Sequence, residues 1–380
     1  MKKIIIGIVL LIGLAVAVFM VMRVNNAGFQ QVLKTDTHDS SVKYAKGFKV
    51  SDHGHYQLVD IQDPIAENDA VYRYALLRRG ESSDGIPEGY AIIETPVRKV
   101  VCMTSLQLSN FIKLDAVDKV AGITSTRFLF NPQIKAQLEN GTTRRIGIEG
   151  EFDVELVMAM APDIILVSPF KRGGYEAIKN LDIPLVSFLG YKESSPLGQA
   201  EWIKFTAMLL GLESKAEEQF AEIEFKYNHL KSLCEDLPHR PTVLSGELHS
   251  DNWYVVGGKS YLAQLFRDAG ADYFMENDNE SGGFYVDFET VYSQGAHADY
   301  WRVVNSHNGA FDYQALKQSD ARYSDFAAFN NRKVIYCNLR EKPFYEDTPV
   351  QPEVVLADLI RIFHPDLLPD HVPVFYDLLK

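Results

Sequence analysis

A chain of 380 residues is long enough for two to three packed units. With 46% hydrophobic and 23% charged residues it fits neither a disordered chain nor a multi-span membrane protein. Its net charge of −13 repels a phosphate backbone and argues against nucleic acid as a partner.

After Lys2 and Lys3, the run from Ile4 to Met22 carries no charge and no proline. It is long enough to cross a hydrocarbon core as a helix and longer than the usual apolar region of a signal peptide. The two lysines favour a cytoplasmic N-terminus. No cysteine follows closely to carry a lipid, and Val24 to Gly28 makes a poor cleavage site. Residues 1–24 are therefore expected to anchor an exported, periplasmic or extracytoplasmic protein to the cytoplasmic membrane, with signal-peptide cleavage as the lesser alternative. From Asn25 to about Lys46 the sequence is polar and aperiodic, a tether. Four short alternating runs follow, beginning near Gly47, Tyr56, Tyr72 and Tyr90, and Gly, Pro, Asn and Asp separate them. This predicts small antiparallel strands, so 25–96 reads as tether and β-rich extension.

From Val97 the pattern becomes strand, loop, helix, strand, which predicts a parallel sheet covered by helices over 97–195. Val100 to Met103 reads as a strand, Ser105 to Leu114 as a helix and Ala121 to Ile123 as the next strand. Asp153 to Ala161 reads as a helix, with buried strands at Ile164 to Val167 and Leu185 to Phe188. Over 196–238, Trp202, Phe205, Leu209, Phe220, Ile223, Tyr227 and Leu230 recur at helical spacing, which predicts one or two long linking helices. Strands starting at Thr242, Trp253, Tyr300 and Val334, then a helix from Glu353 to Phe363, predict a second lobe over 239–380. The expected fold class is α/β: two Rossmann-like lobes, parallel sheets with flanking helices, joined by a long backbone helix. Cys102, Cys234 and Cys337 form neither a CxxC pattern nor a disulfide framework.

The two lobes share an echo. Asp153-Val154-Glu155 precedes Ala161-Pro162-Asp163 and a strand; Asp287-Phe288-Glu289 precedes Ala298-Asp299 and a strand. Each aspartate suits a helix N-cap, and each glutamate falls in the first turn, where the helix dipole favours it by about 0.3–1 kcal/mol. One such glutamate alone reads as helix stabilisation. A pair at equivalent points of two lobes suggests docking knobs for a basic partner.

These segments, with Val100-Val101-Cys102-Met103-Thr104-Ser105, Ile146-Gly147, Gly257-Gly258-Lys259-Ser260-Tyr261-Leu262, Ala269-Gly270-Ala271 and the ending Ile362-Phe363-His364-Pro365, resemble the helical-backbone (class III) substrate-binding proteins of ABC importers. Those proteins capture cobalamin, haem or ferric siderophores. The resemblance runs from about Val97 to the C-terminus. It implies that Glu155 and Glu289 salt-bridge arginines on two permease subunits served by an ATPase, and that the protein is a monomer with no intrinsic cofactor and a metal complex as its cargo. The β-rich extension and the missing lipid-bearing cysteine depart from the pattern.

In such a fold the loops at the carboxyl ends of strands face the cleft. The candidates in the first lobe are Thr104, Ser105, Arg127, Phe128, Phe170, Arg172 and Tyr191; those in the second are His249, Trp253, Phe284, Tyr285, Phe344 and Tyr345. Aromatic side chains offer stiff contact area to a large planar ligand, and arginines grip carboxylates. Trp253 and Tyr254 alternate in one strand, so at least one of them belongs to the core. His249 as a ligand to haem iron or cobalt competes with a plain hydrogen-bonded role. No dedicated metal site is expected. A chelatase or hydrolase on a related two-lobe scaffold is the alternative function. Its candidate carboxylates, Glu149, Glu151 and Asp153, crowd too closely to flank a sugar, and no GxSxG, HExxH or complete P-loop occurs. A third reading has the extension binding an envelope partner.

Overall fold

The computed structural model describes residues 42–64, 71–124, 126–148, 151–168 and 175–380. The apolar run from Ile4 and most of the tether lie outside these residues, as do the candidates Phe170 and Arg172. Among the described residues no helix is long and apolar enough to cross a membrane.

The extension is a four-stranded sheet of β1 (Phe48–Asp52), β2 (Tyr56–Ile61), β3 (Tyr72–Arg78) and β4 (Ala91–Thr95), in that order. The first two pairings are antiparallel as expected, but β4 runs parallel to β3. The loop after Arg78 carries the chain back to the start of β3, so that Ala91 lies opposite Tyr74 and Thr95 opposite Arg78.

The first lobe follows with β5 (Val100–Cys102), α1 (Ser105–Lys113), β6 (Val120–Ile123), α2 (Pro132–Asn140), β7 (Arg144–Arg145), the hairpin β8 (Gly147–Ile148) and β9 (Glu151–Phe152), α3 (Val154–Met160), β10 (Ile164–Val167) and β11 (Leu185–Ser187). Its sheet is parallel in the order β11-β10-β5-β6-β7. Residues of β10 are buried on both faces, which accounts for the unbroken Ile-Ile-Leu-Val run.

Two helices link the lobes, α4 (Pro196–Leu210) and α5 (Glu213–Ser232), turning at Gly211, whose φ of +68° a side chain would strain. α4 is buried on nearly every side because the extension covers the face the lobes leave open. Two carboxylates fix this arrangement. Glu201 accepts the backbone N–H groups of Lys43, Tyr44 and Ala45 at 2.8, 2.6 and 2.8 Å. Glu193 accepts those of Lys46 and Gly47 at 2.9 and 2.8 Å, and the Trp202 indole N–H at 3.0 Å. Phe48 meets Trp202 edge-on at 5.0 Å, and Val59, Ile61, Tyr74 and Leu76 join the core that holds Phe205. The extension and the linking helices thus share one apolar core.

The second lobe comprises β12 (Thr242–Ser245), β13 (Leu248–His249), β14 (Asn252–Val256), α6 (Tyr261–Asp268), β15 (Asp272–Tyr273), β16 (Gly283–Asp287), α7 (Phe288–Gly295), β17 (Tyr300–Asn305), α8 (Tyr313–Ser319), β18 (Val334–Asn338), α9 (Pro352–Phe363) and β19 (Asp377–Leu378). Its main sheet has the order β15-β12-β17-β18-β19, parallel except for β19. Strands β13, β14 and β16 form a separate antiparallel sheet.

Candidate functional site

Both main sheets reverse their winding once, between β10 and β5 in the first lobe and between β12 and β17 in the second. Loops leaving the carboxyl ends of strands beside such a reversal diverge and leave a crevice. In the first lobe these loops carry Thr104 and Ser105 after β5, and Ser168 after β10. The buried Gln107 ties them together. Its carboxamide oxygen accepts the N–H groups of Met103 at 2.7 Å and Thr104 at 3.3 Å, and its amide donates to Ser168 Oγ at 2.9 Å.

In the second lobe the equivalent loops carry Glu247 after β12 and Ser306 after β17. Burial pushes the Glu247 carboxyl up from its ordinary value, opposed by a hydrogen bond with Asn305. Asn305 Oδ1 also accepts the Tyr336 hydroxyl at 2.8 Å.

The lobes meet over Ser306. Arg127, in the loop after β6, donates from Nη2 to Ser306 Oγ at 3.2 Å, and Arg340, just past β18, donates from Nε to the Ser306 carbonyl at 2.8 Å. Two guanidiniums, one from each lobe, therefore converge on one serine. The Arg127 guanidinium lies 4.8 Å from the centre of the Phe128 ring, and Phe128 faces Tyr345 across the lobes at 5.8 Å. Cations with flanking aromatic faces are suited to an anionic, partly planar molecule. Ser306 and Arg340 were missed in the sequence. They stand one and two residues past strand ends, and that placement was their only signal.

Glu346 closes the loop that carries Arg127 and Phe128. Its carboxylate, buried in the second lobe, accepts the backbone N–H groups of Phe130 and Asn131 in the first lobe, both at 2.8 Å. Asn131 in turn caps α2, accepting from Gln133 and Ile134 at 3.1 and 3.0 Å.

A second group lies on the outer face of the β13–β14–β16 sheet. Strand alternation sends Trp253 and Val255 inward, and Tyr254 outward. Tyr254, Tyr285 and His249 cluster there, the two phenols edge-on at 5.3 Å and the imidazole 6.5 Å from each. Tyr254 lies over Gly283, where a Cβ would collide with the phenol. Tyr254 was assigned no cleft role in the sequence; its alternation with Trp253 left open which of the two was core.

Several candidates are corrected. Trp253 is fully buried, donates its indole N–H to the Ser245 carbonyl at 3.1 Å and packs on Trp301 at 5.6 Å, so it is core. Phe284 points inward against the same cluster. Phe344 packs on Phe375 and Tyr376 at 6.2 and 5.9 Å, supporting Tyr345 from behind. Tyr191 is half-buried beside Asp63 of the extension, and burial, reinforced by that carboxylate, pushes its phenol up. Among the described residues no group of three or more His, Cys, Asp or Glu is placed to hold a metal ion.

The echo between the lobes is visible in the structure. Asp153 caps α3 by accepting the Leu156 N–H at 2.9 Å, and Asp287 caps α7 by accepting that of Thr290 at 2.7 Å. Glu155 and Glu289 occupy the second position of their helices, exposed, and no ion pair to either is found among the described residues.

A family model described as periplasmic binding protein matches residues 100–340. An uncharacterized lipoprotein of Methanocaldococcus jannaschii is 22% identical over 338 residues, covering 86% of this chain and 83% of its own. Among solved structures, a periplasmic binding protein from Veillonella parvula aligns with a TM-score of 0.61 at 16% identity, over 82% of this chain and 99% of that one. A periplasmic heme binding protein from Pseudomonas aeruginosa aligns with a TM-score of 0.58 at 16% identity, over 75% of this chain and 98% of that one. An ABC-type Fe3+-hydroxamate transport system structure from Saccharomonospora viridis gives 0.55 at 16% identity, over 71% and 94%. At such identities the structural likeness establishes the two-lobe fold. The family match establishes solute binding rather than catalysis, which removes the chelatase or hydrolase alternative. Matched through well over half its length, the chain belongs to the periplasmic binding protein family, the solute-binding components of ABC transporters.

Proposed function

We propose that this protein captures a metal chelate, either a ferric siderophore, haem or cobalamin, between its lobes and delivers it to an ABC permease. The observation that carries the reading is the meeting of Arg127 and Phe128 from one lobe with Ser306, Arg340 and Tyr345 from the other. Paired guanidiniums bind carboxylates or other anionic oxygens of a chelate, and the aromatic rings cover its apolar face. The outer cluster of His249, Tyr254 and Tyr285 adds further aromatic surface in the second lobe. Structural neighbours described as heme binding and as Fe3+-hydroxamate transport proteins support the same ligand class.

Glu155 and Glu289 serve as the permease contacts, one per lobe, and the ATPase drives release into the membrane subunits. The apolar run from Ile4 to Met22 anchors the protein on the extracytoplasmic face of the cytoplasmic membrane, in keeping with a relative described as a lipoprotein. The chain from residue 25 onward, titrated with haemin, a ferric hydroxamate, a ferric catecholate and cyanocobalamin, is expected to bind one of them at a 1:1 ratio without altering it. Failure of every member of the panel to bind would remove the metal-chelate reading.

A further inference from the structure

The correspondence between the lobes extends one helical turn beyond the glutamates. In Asp153-Val154-Glu155-Leu156-Val157-Met158 and Asp287-Phe288-Glu289-Thr290-Val291-Tyr292 the N-cap, the acid, the buried valine and a large apolar residue keep one register. Val157 and Val291 are 0% and 1% exposed and fix which face of each helix points inward. Met158 and Tyr292, three residues after the glutamates, then lie on the same outer face as the acids, because positions i and i+3 are neighbours on a helix. Met158 is 59% exposed and Tyr292 39%. Ile148, on the hairpin leading into α3, adds a third exposed apolar side chain in the first lobe at 50%. Tyr292 is held upright by stacking on Phe288 at 5.7 Å and by the edge of Phe326 at 5.5 Å.

Neither helix carries a basic residue, and each presents an exposed carboxylate beside its apolar knob. The nearby Arg322 is occupied: its guanidinium donates to Asp320 at 2.9 and 2.7 Å and lies over the Phe288 ring at 4.4 Å. An exposed carboxylate beside an apolar knob, repeated on two lobes, complements a basic side chain beside an apolar recess, also repeated. Apolar contact next to an ion pair excludes water from it and adds affinity that a rim charge alone does not give.

We infer that Met158 and Tyr292 are docking knobs that seat, together with Glu155 and Glu289, in two equivalent recesses of the paired permease subunits, each recess lined by apolar groups around an arginine. This rests on the permease-docking reading of the two glutamates and names what the partner must offer beside its arginines.

The full-length protein, co-expressed with its permease and ATPase, tests this with a photo-crosslinking residue placed at 158, at 292, or at the exposed Phe225 of α5 as control. Crosslinks from 158 and 292 to permease subunits, and none from 225, are expected. The double variant Met158→Ser/Tyr292→Ser, reconstituted with the same permease in proteoliposomes, should need at least tenfold more protein for half-maximal stimulation of ATP hydrolysis, with chelate binding unchanged. Association weakened by Glu155→Ala/Glu289→Ala, but unaffected by the serine pair and without crosslinks from 158 or 292, overturns the knobs and leaves glutamate docking intact. Association unaffected by the alanine pair overturns the docking reading itself.

Discussion

Replacing Glu346 with alanine removes the acceptor of two backbone N–H groups at once, those of Phe130 and Asn131, each held at 2.8 Å across the lobe boundary. A buried donor left without a partner costs about 1–3 kcal/mol, so two cost about 2–6 kcal/mol. Two effects reduce this. Burial already penalises the carboxylate, as its raised pKa indicates, and that penalty vanishes with the side chain. Both N–H groups also belong to half-buried residues, so water can replace part of the lost bonding. A net loss of about 2 kcal/mol is expected, felt locally in the 126–131 loop. By the relation of about 1.4 kcal/mol per factor of ten, that is roughly a 30-fold faster amide exchange at Phe130 and Asn131. Because the same loop carries Arg127 and Phe128, ligand affinity should fall as well, by about tenfold. Native-state hydrogen exchange of those two amides reads the first quantity and a ligand titration the second. Unchanged exchange at both amides in Glu346→Ala would refute the idea that this carboxylate latches the lobes.

Two further outcomes follow from buried carboxylates. Glu193→Ala or Glu201→Ala should lower the thermal midpoint by several degrees and expose the chain around residues 42–47 to protease, because each change strands two or three backbone donors of the extension; an unaltered melting curve would mean that the extension is not held by them. The carboxyls of Glu193, Glu247, Glu346, Asp347 and Glu353 are all raised, by burial before any other cause. A raised carboxyl contributes stability that is fully present below its unfolded value and is lost as pH rises through its folded value. Asp287 and Asp320 act oppositely: lowered by the Thr290 N–H and by Arg322 respectively, they stabilise above their unfolded values and lose this as pH falls through the folded ones. His364, lowered by burial, favours pH 7 over pH 5, so denaturant unfolding of the His364→Asn variant should show stability at pH 5 equal to or above that at pH 7, with loss only below about pH 4; a steady decline from pH 7 to 5 in that variant would contradict the assignment.

What could be read from the sequence was local. Caps announced the helices: Asp153 and Asp287 each cap the helix that their spacing predicted. The buried strands of both sheets were legible because parallel strands covered on both faces are continuously apolar. The parallel pairing of β3 with β4 was not, since strand direction depends on where a loop returns the chain. The binding of the extension to α4 was also hidden, because a glutamate such as Glu201 in a helix reads as a solvated face until the donors of residues 43–45 are brought to it. Alternation in Trp253-Tyr254 indicated that one ring was core, and only the packing on Trp301 decided which. At the candidate site, Arg127, Phe128 and Tyr345 are legible as loop residues past strands, whereas Ser306, Arg340 and Glu346 gain meaning only from the opposite lobe.

Capture between the lobes is tested most directly by titrating the chain from residue 25 onward, and its Arg127→Ala/Arg340→Ala variant, with whichever chelate of the haemin, ferric hydroxamate, ferric catecholate and cyanocobalamin panel the wild type binds. Loss of two charge-assisted contacts, each worth about 1.5–3 kcal/mol, predicts a dissociation constant raised by at least about a hundredfold with the fold intact by circular dichroism. An affinity in the double variant equal to that of the wild type would place the ligand elsewhere and contradict the interlobe site.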